Sequence, residues 1–379
     1  MRLRTCVLAF SVSFATASVC GPPVETVANK VIFTPPTNYT DPRVLYARTV
    51  ELRDGTLLAT WENYSPEPPP VYFPIFQSRD SGRTWTEIAH ITDQVNGWGL
   101  RYQPFLYELP RDFAGYPAGT VLAAGNSIPT DLSKTQIDVY ASKDKGYTWS
   151  FVSHVAAGGV AEPNNGETPV WEPFLLLYKD QLVIYYSDQR DPRHGQKLVH
   201  QTTRDLLTWD PPVDDVAYST YTARPGMTTV ARLPNGKYIM TYEYGGGPGY
   251  SDYRFPVYYR ISDDPLAFNA QSPGQQLIAG SIRPESSPYV TWSSFGGDNG
   301  IIIASSGTNA QIFVNRALGD PTRWEAYNVP QPVAYTRHLR VFDQDPSKLL
   351  IMGAGHLPPS TTNNVSFSIV DLGTLLKRS

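Results

Sequence analysis

Two glutamates stand out as residues equipped for chemistry. Glu243 lies at the end of the stretch 233–244, LPNGKYIMTYEY, and is followed by Gly245-Gly246-Gly247-Pro248-Gly249, whose backbone can come close to a ligand. Glu172 lies in Pro169-Val170-Trp171-Glu172-Pro173-Phe174. Both have aromatic or apolar neighbours, so each carboxyl is expected to be partly desolvated, which raises its pKa and suits an acid. A cation beside one of them would keep that one ionised. Arg48, Arg101, Arg283 and Arg337, each near the start of a strand-like stretch, are candidates for that cation. One protonated and one ionised carboxyl is the pair that breaks glycosidic bonds. Tyrosine and tryptophan nearby would stack on sugar faces. Glu62 is the rival carboxyl, with a stiff loop after it, Ser65-Pro66-Glu67-Pro68-Pro69-Pro70. The alternative reading is structural: partly buried glutamates bonded to backbone or arginine.

Other chemistries find little support. The six histidines are scattered, and no H-E-x-x-H or C-x-x-C spacing occurs, so neither a catalytic zinc nor any other cofactor is expected. No G-x-S-x-G elbow or phosphate loop is present. His338 reads as a packed or hydrogen-bonded residue rather than a base.

The elements that must position the glutamates form a repeat. Gly55, Gly119, Gln181 and Gly236 are each followed seven residues later by a polar group: Glu62, Asn126, Asp188 and Glu243. Later copies carry Gly307 and Gly355 at that place. A repeat with polar groups at one end of successive strands builds a ring of them around an axis. Asn126, Asp188, Glu62, Arg48 and Arg337 are therefore expected to meet a substrate there. A second landmark, S-x-D-x-G-x-T-W, occurs at 78–85 and 142–149, with worn copies ending in Trp209, Phe268 and Trp324. In these boxes Asp is expected to bond turn N–H groups, Gly to take a positive φ, and Trp to pack between sheets. A period near 60 and many short strands predict an all-β fold, a β-propeller of six blades; five blades plus a cap is the other count. The segment Lys30 to Thr34, KVIFT, has no turn partner nearby. It is expected to pair with the last repeat and close the ring, or else to lie on the surface.

The 379 residues are 41% hydrophobic and carry 24 tyrosines, 34 prolines and a net charge of −4. That charge gives no reason to expect nucleic acid or an anionic membrane as partner. Arg2 and Arg4, the apolar run from Cys6 to Phe14 and Ala15-Thr16-Ala17 read as a secretory signal, residues 1–17, with an uncleaved anchor as the alternative. Residues 24–379 then form a single propeller, secreted and monomeric. Its cysteines, Cys6 and Cys20, leave no internal disulfide once the signal is removed. Asn38, Asn63 and Asn364 lie in glycosylation sequons, Asn63 doubtfully, being near the repeated polar position.

The two intact boxes resemble the Asp-boxes of sialidase-like propellers. The segments PVWEPFLLLY, RLPNGKYIMTYEYGG, RPESSPYV and AYTRHLR together resemble the fungal exo-α-1,5-L-arabinanases of glycoside hydrolase family 93. The resemblance implies release of arabinobiose from the non-reducing end of linear α-1,5-L-arabinan, with retention. It implies that Glu172 is the acid/base, Glu243 the nucleophile and Tyr335 an active-site tyrosine. Sialidases need three arginines around a carboxylate and an F-R-I-P motif. Here Tyr46-Ala47-Arg48-Thr49 stands in that place, with Arg48 a possible remnant. A sialidase and a non-catalytic sugar-binding propeller are the rival expectations. An exo enzyme needs one closed end of its cleft, and Ser65 to Pro70 and Gly245 to Asp252 are candidate walls.

Overall fold

The computed structural model describes residues 23–377. The signal segment and both cysteines lie outside the described residues. Six antiparallel four-stranded sheets follow one another along the chain. The innermost strands are Val44–Glu51, Leu100–Glu108, Val170–Tyr178, Arg224–Arg232, Tyr289–Ser293 and His338–Val341. Each packs against the next, and the sixth packs against the first, so the sheets close into a six-bladed propeller.

The strand Val27–Phe33 pairs with Val365–Asp371 as the outermost strand of blade 6. The predicted outer strand thus joins the two ends of the chain in one sheet and closes the ring. Inner and outer strands differ because their surroundings differ. Val44–Glu51 is buried at all eight positions, since both faces meet protein. Thr86–Ile91, at the outside of blade 1, has only Ile91 buried. Apolar clusters glue the blades edge to edge: Leu58 and Ile75 of blade 1 pack with Leu106 and Val121 of blade 2. Trp61 and Phe76 pack with Met352 and Phe367 of blade 6.

The boxes are fasteners between blades. Asp144 Oδ1 accepts from Thr148 N at 2.9 Å, and Thr148 Oγ1 donates to Oδ2 at 2.6 Å. Trp149 Nε1 donates to Gly146 O at 2.9 Å. Gly146, at φ 93°, presses on blade 1: an added Cβ would lie 3.0 Å from Leu58 Cδ1. The box at 78–85 repeats this against blade 6, with Trp85 edge-to-face on Phe367. Among the sequons, Asn38 is exposed and Asn364 half-buried, but Asn63 is 2% exposed at the end of Leu57–Asn63 and closed to a glycan.

Candidate active site

Every blade opens with a residue in the left-handed backbone region. These are Tyr46 (φ 57°), Gln103 (60°), Glu172 (64°), Met227 (63°), Ser287 (37°) and Thr336 (58°). None is glycine, so each is strained. In blades 1 to 4 the pairing with the second strand slips there, as a β-bulge. The distortion takes the residue's N–H off the ladder, and from blade 2 to blade 6 it goes to a side chain of the blade before. Gln103 N donates to Glu62 Oε1 (2.9 Å), Glu172 N to Gln103 Oε1 (3.0 Å) and Met227 N to Glu172 Oε2 (2.6 Å). Ser287 N donates to Glu243 Oε2 (2.7 Å) and Thr336 N to Ser287 Oγ (3.1 Å). This relay satisfies the freed donors and fixes the three glutamates at the hub.

Glu62, Glu172 and Glu243 all line one cavity of about 490 Å³. Gly226 lies between the last two. It is paired with Glu243 across the sheet, and a Cβ added there would sit 3.4 Å from Glu243 Oε1 and 3.5 Å from Glu172 Oε2. Those two oxygens are therefore at most about 7 Å apart. The same Cβ would meet Gln196 Nε2 at 2.9 Å, so a side chain here would push the Gln196 amide aside and narrow the cleft.

Burial raises all three carboxyls. Glu243 is pushed up to about 8, by desolvation first and by the charge of Glu172 second. Glu62 reaches about 7 through desolvation, against bonds from Tyr64 OH and Gln103 N. Glu172 is raised by desolvation, against bonds from Ser187 Oγ (2.6 Å) and Met227 N. Both of those bonds fall on Oε2. The neighbouring cation is Arg224, at the start of the innermost strand Arg224–Arg232 and not among the sequence candidates. Its guanidinium donates to Asn165 Oδ1, Gln189 Oε1 and Gln196 Oε1 at 2.8–2.9 Å. Neutral acceptors hold it, so its charge acts on the glutamates, and it is the one arginine among the cavity's lining residues.

The other arginines are placed differently. Arg101 pairs with Glu67 at 2.9 Å and ties down the proline-rich loop. Arg283 is exposed. Arg337 is fully buried, and its guanidinium donates to the carbonyls of Ala310, Gln311 and Gln331, so it does not meet a substrate as expected. Arg48 stacks 4.0 Å over the Tyr46 ring and donates to Ala47 O and Thr336 O beneath the cavity. Asn126 and Asp188 also miss the cavity. Asn126 donates to Gln103 Oε1 and Val170 O, supporting the relay from behind, and Asp188 grips Arg190. Tyr335 does line the cavity, edge-on to Tyr46 at 6.3 Å. His338 packs edge-to-face on Tyr289, and burial keeps it neutral.

One side of the cavity is an aromatic corner. Tyr64, Tyr102 and Trp171 follow one another at 6.1 and 6.4 Å between ring centres. Ala161 and Pro163 of one loop and Leu357 and Pro358 of another also line the cavity. No residue of 65–70 or 245–252 does, so the walls come from loops other than the two candidates.

The structure matches that of the GH93 α-L-arabinofuranosidase of Fusarium graminearum in complex with arabinobiose, with a TM-score of 0.91 and 60% identity over 93% of this chain and 99% of that one. The chain belongs to family GH93. It is a glycoside hydrolase. The α-L-arabinanase of Penicillium chrysogenum complexed with arabinobiose is 54% identical to this GH93 chain, with a TM-score of 0.90 and the same coverage. The NanB sialidase from Streptococcus pneumoniae, at 11% identity and a TM-score of 0.57 over 92% of this chain and 71% of that one, shares the fold alone. No family model and no curated protein matches. In this GH93 chain Arg48, Arg101, Arg283 and Arg337 do not converge on one point, so they do not form the arginine cluster a sialidase requires.

Proposed function

We propose that this GH93 hydrolase is a secreted exo-α-1,5-L-arabinanase that releases arabinobiose from the non-reducing end of linear arabinan with retention. The observation that carries the reading is the facing of Glu172 and Glu243 across Gly226. The oxygens facing each other across Gly226 are at most about 7 Å apart, which accommodates a retaining pair at roughly 5–5.5 Å. Secretion rests on the N-terminal sequence.

In the first step the Glu243 carboxylate attacks the anomeric carbon. The bond from that carbon to the leaving chain breaks, and the Glu172 proton goes to the departing oxygen. In the second step Glu172, now ionised, takes a proton from water. The water oxygen attacks the same carbon, the ester to Glu243 breaks, and arabinobiose leaves with its original configuration. Glu172 Oε2 is anchored by two donors, which leaves Oε1 as the oxygen to carry the proton. Arg224 favours the charge that Glu243 needs for attack.

The bonding and burial of the two carboxyls favour the reverse protonation. Glu172 accepts two short bonds that favour its charged form, and Glu243 is the carboxyl raised to about 8. The assignment of roles rests on the family resemblance, and substrate must shift the shared proton toward Glu172. NMR of the first-formed product from debranched arabinan tests the reaction: a disaccharide of retained configuration supports it, and monosaccharide alone or no product overturns it. Azide assigns the roles. With an activated arabinobioside, the nucleophile's Ala variant yields the inverted azide and the acid/base variant the retained one.

A further inference from the structure

The glycine run after Glu243 does not approach the cavity; it forms a bed for aromatic rings. A Cβ on Gly245 would lie 2.7 Å from Phe255 Cε1, and one on Gly246 would lie 2.9 Å from Tyr253 Cε2. Two side chains are therefore excluded so that two rings can lie on the backbone. Phe255 belongs to the cavity wall. Tyr253 stands edge-to-face to it at 5.4 Å between centres and is 50% exposed. It is held in place: its hydroxyl donates to Thr222 O at 2.8 Å. The loop that carries it is fastened to blade 5 by the Arg254–Glu285 pair at 2.9 Å. Tyr221, beside Thr222, is a second exposed ring at 43%.

We infer that Tyr253, continuing the wall formed by Phe255, is a stacking surface for the part of the arabinan chain beyond the bond being cut. The inference rests on the proposed exo-arabinanase reading. The argument is one of direction. The glutamates lie between the aromatic corner, Tyr64 to Trp171, supplied by blades 1 to 3, and the Phe255–Tyr253 wall supplied by blade 4. A chain cut near its end places its few terminal sugars against one of these walls and runs out to solvent past the other, and the exposed rings, Tyr253 and Tyr221, belong to the second. A pinned, half-exposed tyrosine on that path offers a flat apolar face to a furanose ring and loses little freedom on binding it. The other exposed aromatic ring that shares this neighbourhood, Tyr221, extends the same rim.

The test compares wild type, Tyr253→Ala and Tyr253→Phe on linear arabino-oligosaccharides from the trisaccharide upward and on debranched arabinan. In wild type kcat/KM should rise with chain length. Tyr253→Ala should flatten that rise, with about a tenfold loss on arabinan carried by KM and little change on the trisaccharide. Tyr253→Phe should keep the rise, because it retains the ring. An undiminished rise in Tyr253→Ala, or an equal loss at every length, overturns the inference. Calorimetry of arabinan binding separates it from the reading beneath it. If wild type binds arabinan without cutting it and Tyr253→Ala binds about tenfold more weakly, the stacking surface stands and the proposed reaction falls. If wild type neither binds nor cuts arabinan, both fall.

Discussion

Asp80 and Asp144 sit in turns at the periphery of the propeller; Glu172 and Glu243 sit at its hub. The box aspartates repeat one position of the motif, whereas Glu172 lies in an innermost strand and Glu243 at the end of a second strand; all four are carboxyls near a strand end. In the boxes burial is the largest single influence and raises the carboxyls. Hydrogen bonds from threonine hydroxyls, turn N–H groups and a serine outweigh it, and hold both aspartates below the usual carboxylate range. At the hub the balance reverses. Burial outweighs the few donors, and both glutamates are raised. A carboxyl whose charge is fully satisfied does structural work, whereas one kept short of donors retains a proton it can exchange.

Exchanging acid for amide at both places should separate these roles most sharply. Glu243→Gln and Glu172→Gln should each lower kcat on arabinan by about 10³-fold or more. Asp80→Asn should leave kcat within about twofold of wild type. Steady-state rates on debranched arabinan measure both, and near-equal rates in all three variants would remove the distinction between hub and rim. The next effect is geometric. Gly226→Ala adds a methyl 2.9 Å from Gln196 Nε2 and between the two glutamates. Displacement of that order should cost roughly 10–100-fold in kcat/KM with little change in Tm. Full activity in Gly226→Ala would mean that the gap between the carboxyls is wider than the packing indicates.

The rim was legible in the sequence and the hub only partly so. The boxes announce themselves because one turn fixes four residue types at fixed spacing, and each type does the same task in each copy. The strand ends were legible too: Glu62 and Glu243 reach the cavity from the predicted repeat position. Asn126 and Asp188 share that position but not that role, because which way a strand end points depends on the neighbouring blade. Hub bulges leave no such trace. Their left-handed residues are Tyr, Gln, Glu, Met, Ser and Thr, chosen by what each blade must present rather than by the turn. Glycine would have marked them, and none is present. Arg224 and Ser187 were invisible for a related reason: Arg224 acts through contacts to the neighbouring blade and Ser187 through a contact to the neighbouring strand, which spacing along the chain does not encode. Arg337 misled because an arginine at a strand start reads alike whether it meets substrate or backbone carbonyls.

Removing a box carboxyl should show as stability instead of rate. Asp144→Asn keeps one acceptor oxygen and loses the charge that receives Thr148 N, Thr148 Oγ1 and Ser142 Oγ. A loss of about 1–2 kcal/mol in unfolding free energy is expected, with kcat unchanged. Urea denaturation followed by tryptophan fluorescence measures it, since Trp149 lies in the same box. No loss would mean that the turn holds its shape without the charge.

The smallest effect has the opposite sign and concerns Glu62, which is buried like the other hub glutamates and raised to about 7. A carboxyl whose pKa is higher when folded than when unfolded binds more protons in the folded state. Stability attached to it is complete at pH values below the ordinary glutamate pKa, and is lost as pH rises through about 7. Glu62→Gln cannot ionise. Its amide oxygen can still accept from Gln103 N, and its amide nitrogen can donate to the Tyr64 hydroxyl that now donates to Glu62 Oε2. At pH 4, below the ordinary glutamate pKa, the variant and wild type should therefore melt together. At pH 8 the variant should melt a few degrees higher, because it escapes the cost of a buried charge. Glu51, raised to about 7 at the opposite mouth, follows the same rule and serves as a control away from the cavity. A lower Tm for Glu62→Gln at pH 8 would mean that Arg48, the nearest cation beneath the cavity, stabilises an ionised Glu62 by more than burial opposes it.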